Sequence, residues 1–394
     1  MYQRTILPQV LYWLNKRQIV ILYGSRQVGK TTLTQEIADY YKSEKEYLEP
    51  EILQVSGDDI SIHTVLSSQS LRQLKSFVGS ARLLIVDEAQ RIANIGINLK
   101  ILHDNLPNLR IVATGSSSFD LANKINEPLT GRNIKFTMTP FSFQELSQKT
   151  RIWDLKQGLE DLMIFGSYPK VINSQTIEDK KTVLKNLAND YLYRDVLEWE
   201  NLKKPELLTQ ILQYLALQIG STVSYNNIAN NLNTNPKTIE KYINLLEQSF
   251  VIFKLRAFSR NRNNELVKSF KVYFWDLGIR NTLIDKYNSF AQREDVGNLW
   301  ENFCILERMK YNQNNLKYGN YYFWRNLNQN EVDFIEDYDG ILHGFEFKYT
   351  KSKILKGSYN FLKEYPTSVL ELINKDNIEE FLIIEAGVKS NQVI

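Results

Sequence analysis

The sequence predicts an α/β protein that opens with a mostly parallel sheet, and three observations carry this. Short β-branched runs alternate with stretches of helical spacing, a glycine-rich loop joins the first run to the first helix, and 394 residues exceed one ordinary core. The first run is Ile19 to Tyr23, followed by GSRQVGKTT and then LTQEIADYY, where Leu33, Ile37 and Tyr40 recur at helical spacing. Further strands are expected at LLIVDEA (Leu83 to Ala89), RIVATGSSS (Arg110 to Ser118) and IKFTMTPFSF (Ile134 to Phe143), with a helix at LKILHDNLP.

Past about residue 145 the pattern turns helical. VSYNNIANNLN and PKTIEKYINLLEQS, separated by a turn at 233–235 and followed by the strand FVIFKLRAF, outline a winged helix-turn-helix. Its second helix has Ile239, Ile243 and Leu246 spaced for burial, leaving Lys237, Glu240, Lys241 and Asn244 outward. Aromatic strands (KVYFWD, YYFWRN, EVDFIED, GFEFKYT) then mix with helices at LWENFCILERMKY and KGSYNFLKEY. The expected division is 1–150 for the parallel-sheet domain, 151–204 for a helical lid or linker, 205–265 for the winged helix and 266–394 for a third α/β unit.

Composition excludes several classes. With 43% hydrophobic and 24% charged residues the chain is neither disordered nor collagen-like, and a formal charge of +3 rules out a uniformly polybasic coat. The excess is local: residues 201–290 carry a net +6, leaving −3 for the rest. Lys254, Arg256, Arg260, Arg262, Lys268 and Lys271 fall in or after the expected wing, where they suit phosphate contacts. One cysteine, Cys304, and scattered His63, His103 and His343 make neither a disulfide nor a His/Cys metal cluster, which fits a reducing cytoplasm. The N-terminus reads as lacking a signal peptide, and the uncharged run Leu207 to Pro236 is too polar to span a membrane, so no membrane partner is expected.

The chemistry starts at the glycine-rich loop. Gly24, Ser25, Arg26, Gln27, Val28, Gly29, Lys30 and Thr31 match GxxxxGK[ST] between a strand and a helix, with Thr32 following. The glycines let backbone N–H groups curl around phosphate oxygens at a helix N-terminus. Lys30 supplies a mobile positive charge for the β- and γ-phosphates, and the Thr31 hydroxyl suits Mg2+. ATP and Mg2+ are therefore the expected ligands. Asp87 and Glu88, closing the LLIVDE strand, supply a second metal-orienting group and a base for the attacking water. Thr114 and Ser116 end a strand where they could hydrogen-bond the γ-phosphate or the water, or merely form a turn. Arg132, in LTGRN, could neutralise transition-state charge at a neighbouring subunit's nucleotide, or be a salt-bridging surface arginine.

These residues carry a resemblance. GSRQVGKTT, LLIVDEAQRI, IVATGSSSFDL, LTGR and FSFQEL, in that order, are similar to the AAA-type ATPases of a large prokaryotic family, in which the ATPase is fused to a C-terminal region. GSYPKV, YLYRDVLE, NPKTIEKYINLLEQSFVI and KVYFWDLGIR resemble that region. The resemblance implies an ATP-hydrolysing module associated with DNA or built as an oligomer, with a homo-oligomer or another protein as partner.

A second constellation lies near the C-terminus. Glu331 and Asp333 share one strand and Glu346 and Lys348 the next, with the turn DYDG between; alternation sends Val332, Phe334, Phe345 and Phe347 to the opposite face. Asp333 and Glu346 could bind Mg2+, Lys348 could stabilise charge, and Glu301 on the preceding helix could complete the set. The arrangement resembles the PD-(D/E)XK nuclease fold, although Val332 stands where that pattern has proline. Three readings are thus open: a DNA-associated ATPase, an ATP-switched interaction module whose nuclease-like domain is inactive, and an ATP-regulated nuclease.

Overall fold

The computed structural model describes residues 2–115, 129–189, 205–259, 269–326, 328–350, 353 and 357–383. Contacts divide the chain into two compact units, Gln3–Thr139 with Gln248–Phe250, and Pro140–Glu247 with the residues from Val251 onward.

In the first unit, five strands form a parallel sheet in the order β2-β3-β4-β1-β5: β1 Ile19–Gly24, β2 Ile52–Ser56, β3 Leu83–Asp87, β4 Arg110–Gly115 and β5 Asn133–Met138. The interior strand β1 is buried along its whole length, as a parallel strand covered on both faces must be. Ile19, Ile21, Tyr23, Leu84, Val86, Ile111 and Ala113 join one apolar cluster with Leu99 and Leu102 of the helix Ile95–Asn105. The helix Lys30–Lys45 buries Leu33, Ile37 and Tyr41; Tyr41 rather than Tyr40 completes the face, because positions four apart stack on one side.

Two departures from expectation have local causes. The run expected as a strand to Phe143 stops at Met138, since Ser142 opens the helix Phe143–Ser147 with a reciprocal cap: its hydroxyl accepts from the Glu145 N–H at 3.1 Å and the Glu145 carboxylate accepts from the Ser142 N–H at 2.9 Å. The edge strand β2 was not foreseen, because its residues are mostly half-buried and ILQVS shows no clean alternation.

The second unit holds a seven-stranded sheet ordered β12-β11-β10-β9-β7-β8-β6. The helices Pro205–Leu217, Tyr225–Asn231 and Pro236–Gln248 come with β6 Thr222–Val223, β7 Ile252–Ala257 and β8 Phe270–Phe274, and β8 pairs antiparallel with both β6 and β7. The boundary expected at 265/266 therefore falls between two hydrogen-bonded strands. The sheet continues through the parallel pair β7 and β9 (Asn320–Arg325) to β10 Glu331–Tyr338, β11 Ile341–Phe347 and β12 Val369–Ile373. Among the described residues no helix is long and apolar enough to cross a membrane.

Candidate functional site

In the first unit the strand order decides what meets at the carboxyl edge of the sheet. β4 lies between β1 and β3, so its end, Thr114, is set between the glycine-rich loop after β1 and the acidic pair after β3. This is the crevice position that parallel α/β sheets offer to ligands.

The loop backbone has little freedom. Gly24 has φ +149° and a Cβ there would lie 2.1 Å from the Met138 carbonyl oxygen, so no side chain fits. Gly29, at φ +100°, turns the chain into the helix Lys30–Lys45, whose first N–H groups face the loop. Lys30 is 5% exposed and its ammonium donates to the carbonyls of Gly24 at 2.7 Å and Ser25 at 3.0 Å. Arg4 donates to the Val28 carbonyl on the loop's outer side.

The acidic pair meets the loop through hydroxyls. The Thr31 hydroxyl donates to Asp87 Oδ2 at 2.9 Å, and the Thr114 hydroxyl donates to Asp87 Oδ1. The Thr114 oxygen also accepts the Glu88 N–H at 3.1 Å, so one hydroxyl holds both acidic residues. Glu88 has a left-handed backbone at φ 47°, and its carboxylate accepts from the Gln90 amide at 2.5 Å. Thr31 and Asp87 thus present adjoining hard oxygen donors, a set that fits Mg2+ completed by phosphate and water.

The other predicted residues of this unit are not brought to that cluster. Ser116 lies outside the described residues. Arg132 directly precedes β5, at the amino edge of the sheet, and its Nε donates to Asp104 Oδ1 at 2.7 Å. β5 pairs in register with β1, so a strand length of about 17–20 Å separates Arg132 from its own loop. Sequence reasoning passed over Arg4 and Gln90. Gln90 follows Glu88 closely enough to have been suspected, but nothing in the sequence ties Arg4 to a loop more than twenty positions away.

In the second unit the predicted acidic set gathers around a lysine. Lys271, on β8 and 3% exposed in its side chain, pairs with Glu301 at 2.8 Å and Glu331 at 2.5 Å. The Tyr273 hydroxyl donates to the same Glu301 oxygen at 2.5 Å. Burial opposes the charge on Lys271, but Glu301, Glu331 and Asp333 together hold it protonated well above its ordinary range. Burial pushes Glu301 upward, with Lys271 pulling the other way, and burial drives the Tyr273 hydroxyl up as well. Asp333 accepts the Phe347 N–H at 2.9 Å and stands 4.0 Å from the Lys348 ammonium; Glu346 is buried on the next strand.

Two expectations are corrected here. Val332 and Phe334 do not share a face. β10 pairs Val332 with Trp324 but Ile335 with Tyr322, so a bulge falls at Asp333 and Phe334. Val332 and Ile335 join Trp324, Leu342 and Phe361, while Phe334 stacks on Tyr321 and adjoins Phe345 and Phe347. Glu301, expected to join Asp333 and Glu346 around Mg2+, is instead paired with Lys271, which also holds Glu331, and among the described residues no group of three or more His, Cys, Asp or Glu is disposed to hold a metal. Lys271 and Tyr273 were missed as members, although a lysine inside an aromatic strand signals a paired buried charge.

The expected wing cations are reduced in the same way. Lys254 is tied to Glu247 at 2.9 Å and to Asn244 at 2.8 Å, and Lys271 is buried as described. Arg256 is exposed, and Arg260, Arg262 and Lys268 lie outside the described residues. On the helix Pro236–Gln248, Ile239, Ile243 and Leu246 are buried and Lys237, Glu240 and Lys241 exposed; Asn244 is half-buried.

Comparison with known proteins matches three segments of the chain. Residues 16–147 match the model of an AAA domain, and residues 156–289 and 296–383 match two domains of unknown function, DUF8612 and DUF4143. An uncharacterized protein of Haemophilus influenzae is 24% identical over 318 residues, 77% of each chain. One of Mycobacterium tuberculosis is 27% identical over 350 residues, 88% of this chain and 73% of its own. AMPPCP-bound DnaA from Aquifex aeolicus aligns with 61% of this chain and 86% of its own at 17% identity, with a TM-score of 0.32, a likeness too slight to carry an argument. The domain match supports an AAA-type P-loop ATPase joined to a C-terminal domain of unknown function.

Proposed function

We propose that the first unit binds ATP with Mg2+ and hydrolyses it, and that the second unit associates with DNA without cutting it. The observation that carries the first part is the convergence of Thr31, Asp87, Thr114 and Glu88 beside the glycine-rich loop. Lys30 now spends its donors on two backbone carbonyls, and these are weak acceptors that phosphate oxygens would replace. The loop N–H groups and the helix N-terminus behind them would receive the remaining phosphate charge. Mg2+, when bound, neutralises charge on the β- and γ-phosphates, and Thr31 and Asp87 would hold it. Glu88 would take the proton of the attacking water, while Thr114 keeps Asp87 and the Glu88 backbone in register.

Arg132 faces away from its own loop, so a role on the γ-phosphate requires a second copy of the chain, and we propose a homo-oligomer for that step. The test of the whole reading is Mg2+-dependent ATP turnover by the purified chain: turnover that vanishes in Glu88→Gln while ATP binding persists supports it, and no turnover in the wild type sinks it.

The DNA reading rests on the helix-turn-helix order, the antiparallel strands β6, β8 and β7 beside it, and the exposed Lys237, Lys241 and Arg256. Phosphate contacts would weaken steeply as salt rises. Failure of the full chain to bind duplex DNA at low salt would instead favour a protein partner. Phosphodiester cleavage is not part of this proposal, because Glu301 and Glu331 are already paired with Lys271.

A further inference from the structure

The backbone of Glu88 is held on several sides. Its N–H is shared between Asp87 Oδ1 at 3.2 Å and the Thr114 oxygen at 3.1 Å. On the other side, Gly57 donates its N–H to the Asp87 carbonyl at 2.7 Å, and a Cβ at Gly57 would come within 2.3 Å of the Glu88 carbonyl oxygen. The left-handed φ of 47° then launches the turn Ala89–Arg91. With its main chain clamped, Glu88 retains freedom only in its side-chain torsions.

One contact bears on those torsions. Gln90, 7% exposed, directs its Nε2 amide at Glu88 Oε2 across 2.5 Å, with only Ala89 between them in sequence. A carboxylate has two oxygens, and engaging one leaves the other to receive a proton from water. The donor is a neutral amide, so it orients the carboxylate without setting a positive charge beside it.

We infer that Gln90 is a positioning residue for Glu88: its amide selects the rotamer that aims the free carboxylate oxygen at the attacking water. The inference rests on the ATPase reading above and adds to it a residue that touches neither phosphate nor metal. Misplacing a catalytic group by about 1 Å costs on the order of a hundredfold in rate, and losing one of the constraints on its torsions costs part of that.

The test uses the full chain in four forms beside the wild type: Gln90→Ala, Gln90→Met, Glu88→Gln and the double variant Glu88→Gln with Gln90→Met. Methionine keeps most of the volume of the buried amide and removes its N–H, so it carries the test should alanine fail to fold. The expected result is a kcat reduced roughly tenfold in Gln90→Met with KM for ATP unchanged. Affinity for a fluorescent ATP analogue measured without metal, and the thermal midpoint, should stay at wild-type values.

In the Glu88→Gln background the Gln90→Met change should add nothing, because a residue that acts through Glu88 has nothing left to position. A multiplicative loss in the double variant, or a fall in analogue affinity matching the fall in kcat, would overturn the inference in favour of a general structural role. Wild-type turnover with an unchanged kcat in Gln90→Met sinks the inference alone, whereas a wild type without turnover sinks the ATPase reading beneath it.

Discussion

The glycine-rich loop of the first unit and the Lys271 cluster of the second are made from the same materials and arranged to opposite ends. Each combines a buried lysine, carboxylates at strand ends or on a neighbouring helix, and a hydroxyl that donates to one of those carboxylates. At the loop, Lys30 is bonded to neutral backbone carbonyls, and the carboxylate of Asp87 is bonded to hydroxyls, with Thr31 exposed. On the ATPase reading proposed above, those partners would give way to phosphate and a metal. In the second unit Lys271 is bonded directly to the carboxylates of Glu301 and Glu331, and Arg325 stands 3.6 Å from Glu331. A site is open when its charged groups are held by weak partners, and closed when they hold one another.

Four experiments would break or sharpen that contrast. The largest effect is expected from Glu88→Gln, which should lower kcat by about 10²–10⁴ while leaving ATP binding intact, as single-turnover and equilibrium binding assays would report. Next, Lys271→Met should destabilise the second unit by about 3 kcal/mol in urea unfolding, because it leaves the half-buried Glu301 and Glu331 without the ammonium they share. Adding Glu301→Gln should recover part of that loss, and full stability in the single variant would show that the cluster is not a lock. Lys30→Ala should weaken ATP binding by about 1.5–3 kcal/mol, or roughly ten- to a hundredfold, without moving the unfolding midpoint of the empty protein much.

The smallest effect is one of pH. Asp276, which accepts N–H bonds from Ser167 at 2.8 Å and Ile279 at 3.0 Å, is pushed up to about 6 by burial, against those bonds and Lys310. A carboxyl that is harder to ionise when folded stabilises the fold while protonated. Stability of the second unit should therefore fall as pH rises from about 4 through about 6. Asp276→Asn should flatten that slope in urea midpoints collected across the same range, and an unchanged slope would assign it to other groups.

Much of the first unit was legible because its signals are local. IVILY before GSRQVGKTT, and LLIVD before Glu88, announce buried strands that end in chemistry, and both occur where expected. Edge strand β2 was not legible, since a half-buried strand lacks both the continuous apolar run and the strict alternation that reveal strands. The end of β5 was misplaced because a reciprocal Ser142–Glu145 cap outweighs the β propensity of the residues before it.

In the second unit the motif positions were legible and their meaning was not. Asp333, Glu346 and Lys348 were read as a catalytic triplet from alternation along two strands. A one-residue bulge on β10 parts Val332 from Phe334, and a lysine from a strand sixty residues earlier pairs with Glu331 and Glu301. Alternation is a property of one strand, while charge balance depends on every element that packs against it.

The order of residues by itself determined that this protein has a glycine-rich loop between a strand and a helix, an acidic pair closing a later strand, and two helices joined by a short turn beyond. Those features are encoded within about a dozen consecutive residues, where backbone geometry and periodicity govern. Only the tertiary structure decided that Thr114 bridges Asp87 and Glu88, that Arg132 stands at the far edge of the sheet from its own loop, and that Lys271 fills the second acidic cluster. Each of these depends on strand order and register, which bring together residues far apart in the chain and are set by the burial of whole faces rather than by any local pattern.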